Sequence, residues 1–392
     1  MAPRMPAADV THLADAFLAS TVGGVRDPAR PRHRARFHSL EVAGVRPLTD
    51  DAVEVTFAVP DELRAEYDYL PGQHVAVRAR LDGEEIRRSY SLCRPPGSGA
   101  LSVAIKRDQG GRFSTWAQTG LRPGDRLDVM SPQGTFTSSL ADLDGRHVAA
   151  IAAGSGITPL MALAATVLAR SDSSRFTLVY TNRSTTDVMF LDELADLKDR
   201  YPARLALHHV LSREQRTAPL LSGRIDEAKL RLMLETIVRP ASVDEWFLCG
   251  PFDLVQLCRD VLQDAGVDRA HVRYELFTTG DPATRIGTAT ATAPREGEPS
   301  RRIEITLDGQ SATVDSPLSA HESILSAALR VRSDVPFACA GGVCGTCRAR
   351  LVDGAVTMTE NYALEPDEIA RGFVLTCQAH PTTDRVVVDY DV

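Results

Sequence analysis

The sequence contains no apolar stretch that approaches the roughly 18 residues of a membrane-spanning helix. Its first 20 residues lack a basic segment followed by a long apolar core, so no secretory signal is predicted. Lysine and arginine total 44 against 52 aspartates and glutamates, a net charge of −8, which argues against a nucleic-acid-binding protein. We therefore expect a cytoplasmic protein that binds neither membrane nor nucleic acid.

Cysteine is scarce as well, with 7 among 392 residues. Three of them, Cys93, Cys249 and Cys258, are too few and too scattered for a disulfide framework. The other four follow the pattern C-x4-C-x2-C and, after 29 further residues, a last Cys, and they are Cys339, Cys344, Cys347 and Cys377. That is the plant-type spacing of a [2Fe–2S] cluster held by four thiolates. Thiolate ligation also fits a reducing compartment.

Two other interpretations of the cysteines are a zinc site and a disulfide pair. Zinc sites usually show two short C-x2-C-like pairs, and this sequence has one. The glycines Gly341, Gly342 and Gly345 suit a loop folded around an inorganic core, because glycine adopts dihedral angles that other residues avoid. The spacing therefore predicts an iron–sulfur cluster, which accepts and donates single electrons.

Short strands with turn signals run from Phe37 to about Ser139, which predicts an antiparallel barrel or sandwich. The segments 40–43 and 52–59 alternate apolar and polar residues, as half-buried strands do. In Arg88-x-Tyr90-Ser91, the Arg offers a fixed cation for a pyrophosphate. Tyr90 shares a strand face with Arg88 and can cover an aromatic ring, and Ser91 offers a hydroxyl for a ring nitrogen.

The short motif R-x-Y-S is common by chance, and alone it would indicate an ordinary exposed strand. About 20 residues later, Gly111 to Ser114 precede what looks like a helix and can present backbone N–H groups to phosphates. Together with the cysteine pattern downstream, these two motifs favour a flavin site.

From Asp144 to Phe277, strands and helices alternate, which predicts a doubly wound parallel sheet. A buried strand, 147–153, is followed by the dinucleotide-type turn Gly154-x-Gly156, which lacks a third glycine. A helix is predicted over 160–170, with Thr158 as its N-cap and Pro159 at its first position.

Loops at the C-terminal ends of these strands predict the nucleotide site. Arg183, Ser212 and Arg213 follow two of the strands, and the two arginines suit a 2′-phosphate, which favours NADPH over NADH. The alternative is that both arginines are solvated loop residues. Cys249 ends a further strand and could be a buried small hydrophobe. Phe277, after the last strand, could be a core residue or could shield a flavin.

The sequence thus predicts a multidomain chain: a β-barrel flavin domain, a doubly wound α/β nucleotide domain and an α+β domain that carries the cluster. A stretch rich in Gly, Pro, Thr and Ala precedes the last domain and is expected to be a linker. The predicted units are an N-terminal extension 1–36, an FAD-binding barrel 37–140, an NAD(P)-binding domain 141–278, a linker 279–300 and a [2Fe–2S] domain 301–392.

The order of these motifs resembles the ferredoxin–NADP reductase superfamily with a fused plant-type ferredoxin. Within it, the chain is similar from about Phe37 onward to the reductases that serve bacterial phenylacetyl-CoA epoxidases. The runs that carry this resemblance are Pro71-Gly-Gln-His74, Gly83-Glu-Glu-Ile-Arg-Arg88, Met130-x-Pro-Gln-Gly134, Ala152-Ala-Gly-Ser-Gly-Ile-Thr-Pro159, Gly223-Arg-Ile-Asp226, Cys339-x-Gly-Gly-Val-Cys344 and Asn361-Tyr-x-Leu-Glu-Pro-Asp-Glu368. Thr181 replaces a glycine expected in the nearest relatives, beside the adenosine site.

The resemblance implies FAD, a [2Fe–2S] cluster and a pyridine nucleotide, and an α+β, β-grasp ferredoxin fold for the last domain. It implies that Arg88, Tyr90 and Ser91 hold the flavin, with Gly111, Phe113 and Ser114 near its pyrophosphate. It further implies a nicotinamide pocket lined by Thr158 and Cys249, with Glu275 and Phe277 nearby. Catalytic roles are expected for Ser91, Thr158, Cys249 and Glu275. The implied partner is a multi-subunit di-iron oxygenase that acts on phenylacetyl-CoA.

Two other functions stay open at this point. A reductase that serves a Rieske-type oxygenase, such as a steroid hydroxylase, has the same order of modules. A non-catalytic iron–sulfur redox sensor on a reductase frame is a third hypothesis, against which the candidate residues at every cofactor position count.

Overall fold

The computed structural model describes residues 36–138, 143–277, 298–332, 335–337, 340–364 and 366–391. The predicted extension, apart from residue 36, lies outside these ranges. So do Cys339 and residues 279–297 of the predicted linker. Among the described helices, none has the length and apolar character needed to cross a membrane.

The first sheet is antiparallel and curls into the predicted barrel. Its strands, with one helix, are β1 Phe37–Thr49, β2 Ala52–Ala58, β3 His74–Leu81, β4 Glu84–Ser91, β5 Leu101–Lys106, α1 Arg112–Thr119 and β6 Arg126–Met130. They lie in the order β4-β3-β6-β1-β2-β5. The two outer strands approach each other where Leu92 forms an isolated bridge with Val103. The enclosed core is built from apolar side chains such as Val55, Val77 and Phe113.

The alternation predicted for β2 is wrong at Glu54, which is 3% exposed instead of facing solvent. Arg46 donates to its carboxylate from Nε at 3.1 Å, and Arg94 donates to the same group. Arg46 also pairs with Glu193 of the second domain. A buried carboxylate is tolerated here because paired guanidinium groups replace the lost water.

The second sheet is parallel, as predicted, in the order β11-β10-β7-β8-β9. Its elements are β7 His147–Ala153, α2 Ile157–Arg170, β8 Arg175–Asn182, α3 Leu191–Arg200, β9 Leu205–Leu211, α4 Glu227–Thr236, β10 Glu245–Gly250, α5 Phe252–Asp264 and β11 Val272–Leu276. Two separate apolar clusters cover the sheet. One includes Leu160 and Leu194 from α2 and α3, and the other includes Leu230 and Val255 from α4 and α5. This doubly wound fold is confirmed.

The predicted start of α2 needs correction. The helix begins at Ile157, with Gly156 as N-cap, and Thr158 and Pro159 occupy its second and third positions. Thr158 does not cap the helix; its Oγ1 donates to the carbonyl of Ser155 at 3.0 Å. Proline is tolerated at the third position because the first N–H groups of a helix have no intrahelical acceptor.

The third unit is a mixed sheet covered by a short helix, the predicted β-grasp arrangement. Its elements are β12 Ser300–Leu307, β13 Gln310–Pro317, α6 Ile324–Leu329, β14 Arg348–Asp353, β15 Val356–Met358, α7 Pro366–Ala370, β16 Phe373–Leu375, β17 Ala379–Pro381 and β18 Arg385–Asp389. The main sheet has the order β13-β12-β18-β14-β16, in which β12 and β18 run parallel. Ser323 caps α6 by accepting from the backbone of Ser326.

Candidate functional site

A hydrogen bond joins the first two domains at the predicted nicotinamide pocket. Ser91 ends β4, and its Oγ donates to Oε2 of Glu275 in β11 at 2.8 Å. Cys249 of β10 lies opposite Glu275 in the parallel register. Burial, and then the charge of Glu275, raise the pKa of the Cys249 thiol well above its ordinary value. Cys249 is therefore protonated and apolar, and not a thiolate.

The turn before α2 brings Thr158 to the same end of the sheet. Gly156 packs directly on β10, since a Cβ added there would lie 2.2 Å from the carbonyl oxygen of Cys249. A larger residue would push the start of α2 away from the strand. The structure thus gathers three of the four predicted catalytic residues, Ser91, Cys249 and Glu275, and holds Thr158 buried beside them.

The predicted flavin residues lie on and beside β4. Tyr90 lies with its ring centroid 5.8 Å from that of Phe113 in α1. Burial raises the pKa of the Tyr90 phenol, so this ring is neutral at every ordinary pH. Phe113 itself is fully buried in the barrel core, so it would meet a pyrophosphate through its backbone N–H group. Phe277 is partly buried and packs against the core of the second domain.

The N-terminus of α1 fits a pyrophosphate. Gly111 is its N-cap, and within the described residues no side chain caps this end. The hydroxyl of Ser114 accepts from the backbone N–H of Asp108 at 3.0 Å, which ties the preceding turn to the helix. The backbone N–H groups of the first turn therefore stay available for anionic oxygens, with the guanidinium of Arg88 supplied from β4.

The predicted 2′-phosphate residues come together at the ends of β8 and β9. The backbone N–H of Arg213 donates to the carbonyl of Arg183 at 2.7 Å, and Ser212 directly precedes Arg213. The guanidinium of Arg183 pairs with Asp187 and, at 3.2 Å, with Asp51 of the barrel. Arg213 is exposed. An incoming phosphate would therefore compete with two carboxylates for Arg183.

The cysteine loop has the backbone that the glycines predicted. Gly342 and Gly345 have φ angles of +77° and +67°, and Ala340 also adopts the left-handed region at +50°. The backbone N–H of Thr346 points at Sγ of Cys344, 3.5 Å away. Such N–H groups stabilise thiolates, and they are a usual part of the surroundings of iron–sulfur ligands.

The remaining described ligand candidates, Cys347 and Cys377, are buried next to this loop. Thr376 donates from both its backbone N–H and its hydroxyl to the carbonyl of Cys347. Within the described residues, no three His, Cys, Asp or Glu side chains surround one metal-ion position. A two-iron core needs only two thiolates at each iron, so its four ligands need not surround one point, and the fourth candidate, Cys339, lies outside the described ranges.

His74 is a residue whose contacts the sequence did not predict. Its Nε2 lies 3.2 Å from Oγ1 of Thr346 in the cysteine loop, and its Nδ1 lies 3.8 Å from Oε1 of Glu275. Burial lowers the pKa of His74 to about 4, so the ring is neutral. His74 therefore connects the nicotinamide pocket to the cysteine loop. Its partners lie about 200 residues or more away in the chain, so no local pattern marks it.

Three protein-family models match the chain in succession. They are an oxidoreductase FAD-binding domain over residues 39–138, an oxidoreductase NAD-binding domain over residues 150–260 and a 2Fe-2S iron-sulfur cluster binding domain over residues 305–382. With the geometry above, these matches define an oxidoreductase with FAD, a pyridine nucleotide and a [2Fe–2S] cluster as its redox groups.

The chain belongs to the family of oxygenase reductase components that join these three domains. It is 45% identical to one of the subunits of 1,2-phenylacetyl-CoA epoxidase from Escherichia coli K12, over 91% of this chain and 98% of that protein. It is 32% identical to the ferredoxin reductase component of 3-ketosteroid-9-alpha-monooxygenase of Rhodococcus rhodochrous, over 91% and 98%. The predicted resemblance is thereby confirmed.

Solved structures show the same fold at lower identity. Phthalate dioxygenase reductase has a TM-score of 0.53 and 24% identity, over 90% of this chain and 98% of that chain. An intact type IV self-sufficient cytochrome P450 monooxygenase has a TM-score of 0.63 and 22% identity, over 90% of this chain. The match covers 41% of that longer protein.

Proposed function

We propose that this chain is the cytoplasmic reductase component that passes electrons from NADPH to a multi-subunit di-iron oxygenase acting on phenylacetyl-CoA. The observation that carries the proposal is the contact between the pocket and the cysteine loop through His74, which lies against both Glu275 and Thr346. Support for the substrate comes from the 45% identity to the phenylacetyl-CoA epoxidase protein over nearly its full length.

Bound FAD would accept two electrons as a hydride and release them singly to the cluster. The chain's own residues serve orientation. Ser91 and Glu275 form a fixed pair at the domain junction, where the nicotinamide must approach the flavin to within about 3–3.5 Å. Cys249, fully buried and protonated, is proposed to exclude water from the same pocket, and buried Thr158 at the start of α2 is proposed to line it as well. The residues proposed to bind the flavin are Arg88, Tyr90, Ser91, Gly111, Phe113, Ser114 and Phe277.

The choice of NADPH over NADH depends on Arg183, Ser212 and Arg213. Their shared position at the ends of two neighbouring strands supports a 2′-phosphate site, because ligands bind beyond the C-terminal ends of parallel strands. Gly154 and Gly156 in the turn before α2 provide close backbone approach to the nucleotide. The four proposed cluster ligands are Cys339, Cys344, Cys347 and Cys377, and the proposed domains are 37–140, 141–278 and 301–392.

The test is reconstitution of purified holoprotein with candidate oxygenases. We expect NADPH-dependent product formation with the oxygenase component of a phenylacetyl-CoA epoxidase, and little with a 3-ketosteroid 9α-hydroxylase oxygenase. Cys344→Ser serves as the matched control, because it should stop product formation while NADPH–ferricyanide activity persists. Turnover only with the steroid oxygenase would overturn the proposed client and favour the second candidate, which the 32% identical relative supports.

A further inference from the structure

β4 presents its side chains alternately to two faces, as every strand does. Arg88 and Tyr90 lie on one face, and Arg87 lies on the other. The register of β3 and β4 pairs Arg87 with Arg78, and Ser91 with His74, so these residues share Arg87's face. This second face of the barrel, opposite the one with Arg88 and Tyr90, is the one that meets the cysteine loop.

The guanidinium of Arg87 is buried between two aromatic rings. Its Cζ lies 4.1 Å from the ring centroid of Phe337 and 4.9 Å from that of Phe37. Its Nη1 donates to the carbonyl oxygen of Phe337 at 3.2 Å, and its Nη2 lies 3.4 Å from the exposed carboxylate of Glu85. The side chain is 4% exposed, which is rare for an arginine.

Burial lowers the pKa of Arg87 to about 10, so the side chain still carries its charge at neutral pH. Within the part of the chain that the structure describes, its Nε is buried with no hydrogen-bond partner. A buried cation needs compensation, and here Phe337 supplies both a carbonyl and a ring face. If the ferredoxin domain moved away, both of these contacts would be lost.

Phe337 belongs to the ferredoxin domain and lies two residues before Cys339. A second contact lies close by, because Cys344 packs against Ala76 and Met130 of the barrel. Arg87 thus holds the segment that leads into the cysteine loop, and the loop itself lies on the same barrel face. A shift of Phe337 would change the distance between flavin and cluster sites.

We propose that Arg87 is a positioning residue for electron transfer within the chain, which docks the cysteine loop on the flavin barrel through Phe337. The inference rests on the proposed function, in which each step moves one electron from reduced FAD to the oxidised cluster. No bond in the chain is made or broken. The two electrons of one hydride are used in two such steps, between which the cluster passes its electron to the oxygenase and is oxidised again. The rate of such a step falls steeply as the two groups separate.

The experiment compares Arg87→Met, Arg87→Lys and the control Arg80→Met in anaerobic holoprotein. Arg80 is an exposed arginine of β3. Stopped-flow absorbance after mixing with NADPH would follow flavin reduction and then cluster reduction. A hydrogen bond to a charged group contributes about tenfold or more to an equilibrium, so we expect cluster reduction to slow by at least about tenfold in Arg87→Met. Arg87→Lys should recover part of the rate, and Arg80→Met should match the wild type.

Two readouts separate docking from general damage. NADPH–ferricyanide turnover should be unchanged in all three variants, because it needs only the flavin. Hydrogen–deuterium exchange of the oxidised holoprotein should rise in Arg87→Met at residues 335–337 and 340–347. Unchanged exchange together with unchanged cluster reduction would overturn the proposal. If wild-type protein shows no cluster reduction by NADPH, the proposed function fails, and this inference fails with it.

Phe337→Leu tests the same contact from the other domain and keeps the experiment decisive if Arg87→Met folds poorly. It leaves the barrel intact and removes the ring face over Arg87. We expect slower cluster reduction with normal FAD content. The two residues act through one contact. Arg87→Met should therefore slow cluster reduction less in the Phe337→Leu protein than in the wild type. Fully additive effects would contradict the proposed coupling.

Discussion

Replacing Arg183 by Ala tests how the protein chooses its nucleotide. In the structure, the guanidinium is 48% exposed and pairs with Asp187 and Asp51. Exposed ion pairs of this kind contribute about 0.2–1 kcal/mol, whereas a hydrogen bond to a charged group contributes about 1.5–3 kcal/mol. At the middle of these ranges, a phosphate contact outweighs the two carboxylates together by about 1 kcal/mol. We expect Arg183→Ala to lower kcat/KM for NADPH about fivefold, with kcat/KM for NADH within about twofold.

The matched variant is Asp51→Asn, which removes a competitor for Arg183 without touching the pocket. Loss of a surface pair worth up to about 1 kcal/mol corresponds to at most about a fivefold change. We expect the KM for NADPH to fall by about twofold to fivefold, and the KM for NADH to stay constant. Steady-state NAD(P)H–ferricyanide assays at low ionic strength measure both. Equal changes in KM for NADPH and NADH in either variant would refute the assignment of Arg183 to the 2′-phosphate. A higher KM for NADPH in Asp51→Asn would refute it as well.

Three further predictions follow from single contacts. Glu54→Gln should lower the free energy of unfolding by about 3 kcal/mol in urea titrations at pH 7, because the largely buried guanidinium of Arg94 loses its close carboxylate and keeps only Glu193 at 3.7 Å. Burial raises the pKa of Glu54 but is outweighed by its two arginines, so the folded-state pKa lies below the ordinary value. The carboxylate's contribution is therefore present above about pH 4.5 and lost as the pH falls through the folded-state pKa, and a difference undiminished at pH 3 would contradict this account. Ser91→Ala should slow flavin reduction by NADPH about tenfold in stopped-flow measurements, since it removes the hydrogen bond to Glu275, and an unchanged rate would count against that role. Cys344→Ser should abolish cluster absorbance and iron content with FAD retained. Loss of ferricyanide activity with FAD still bound would contradict the assignment of ferricyanide reduction to the flavin alone.

Local patterns predicted most of the fold. The predicted strand bounds 147–153 agree with β7, because an apolar run bounded by turn residues is a local signal. The predicted N-cap, Thr158, lies two residues after the observed N-cap, Gly156, because Pro159 suits any position of the first turn.

Sequence motifs marked only some residues of the candidate site. The loop glycines lie in a recognisable run, and Ser91, Cys249 and Glu275 were named from the resemblance, but the hydrogen bond between Ser91 and Glu275 was not predicted. The burial of Glu54 and the contacts of His74 and Arg87 were missed. Each depends on residues that are distant in the chain: Glu193 for the Glu54 network, Thr346 for His74 and Phe337 for Arg87. Contacts between domains leave no periodicity in either segment.

The most direct test is an anaerobic titration of the purified holoprotein with NADPH, combined with iron, acid-labile sulfide and FAD analysis. We predict one FAD, two irons and two sulfides per chain, with flavin and cluster absorbance both bleached by NADPH and more weakly by NADH. Protein that binds FAD but neither iron nor sulfide, or whose cluster absorbance does not respond to either nucleotide, would contradict an electron path from nucleotide through flavin to cluster within this chain.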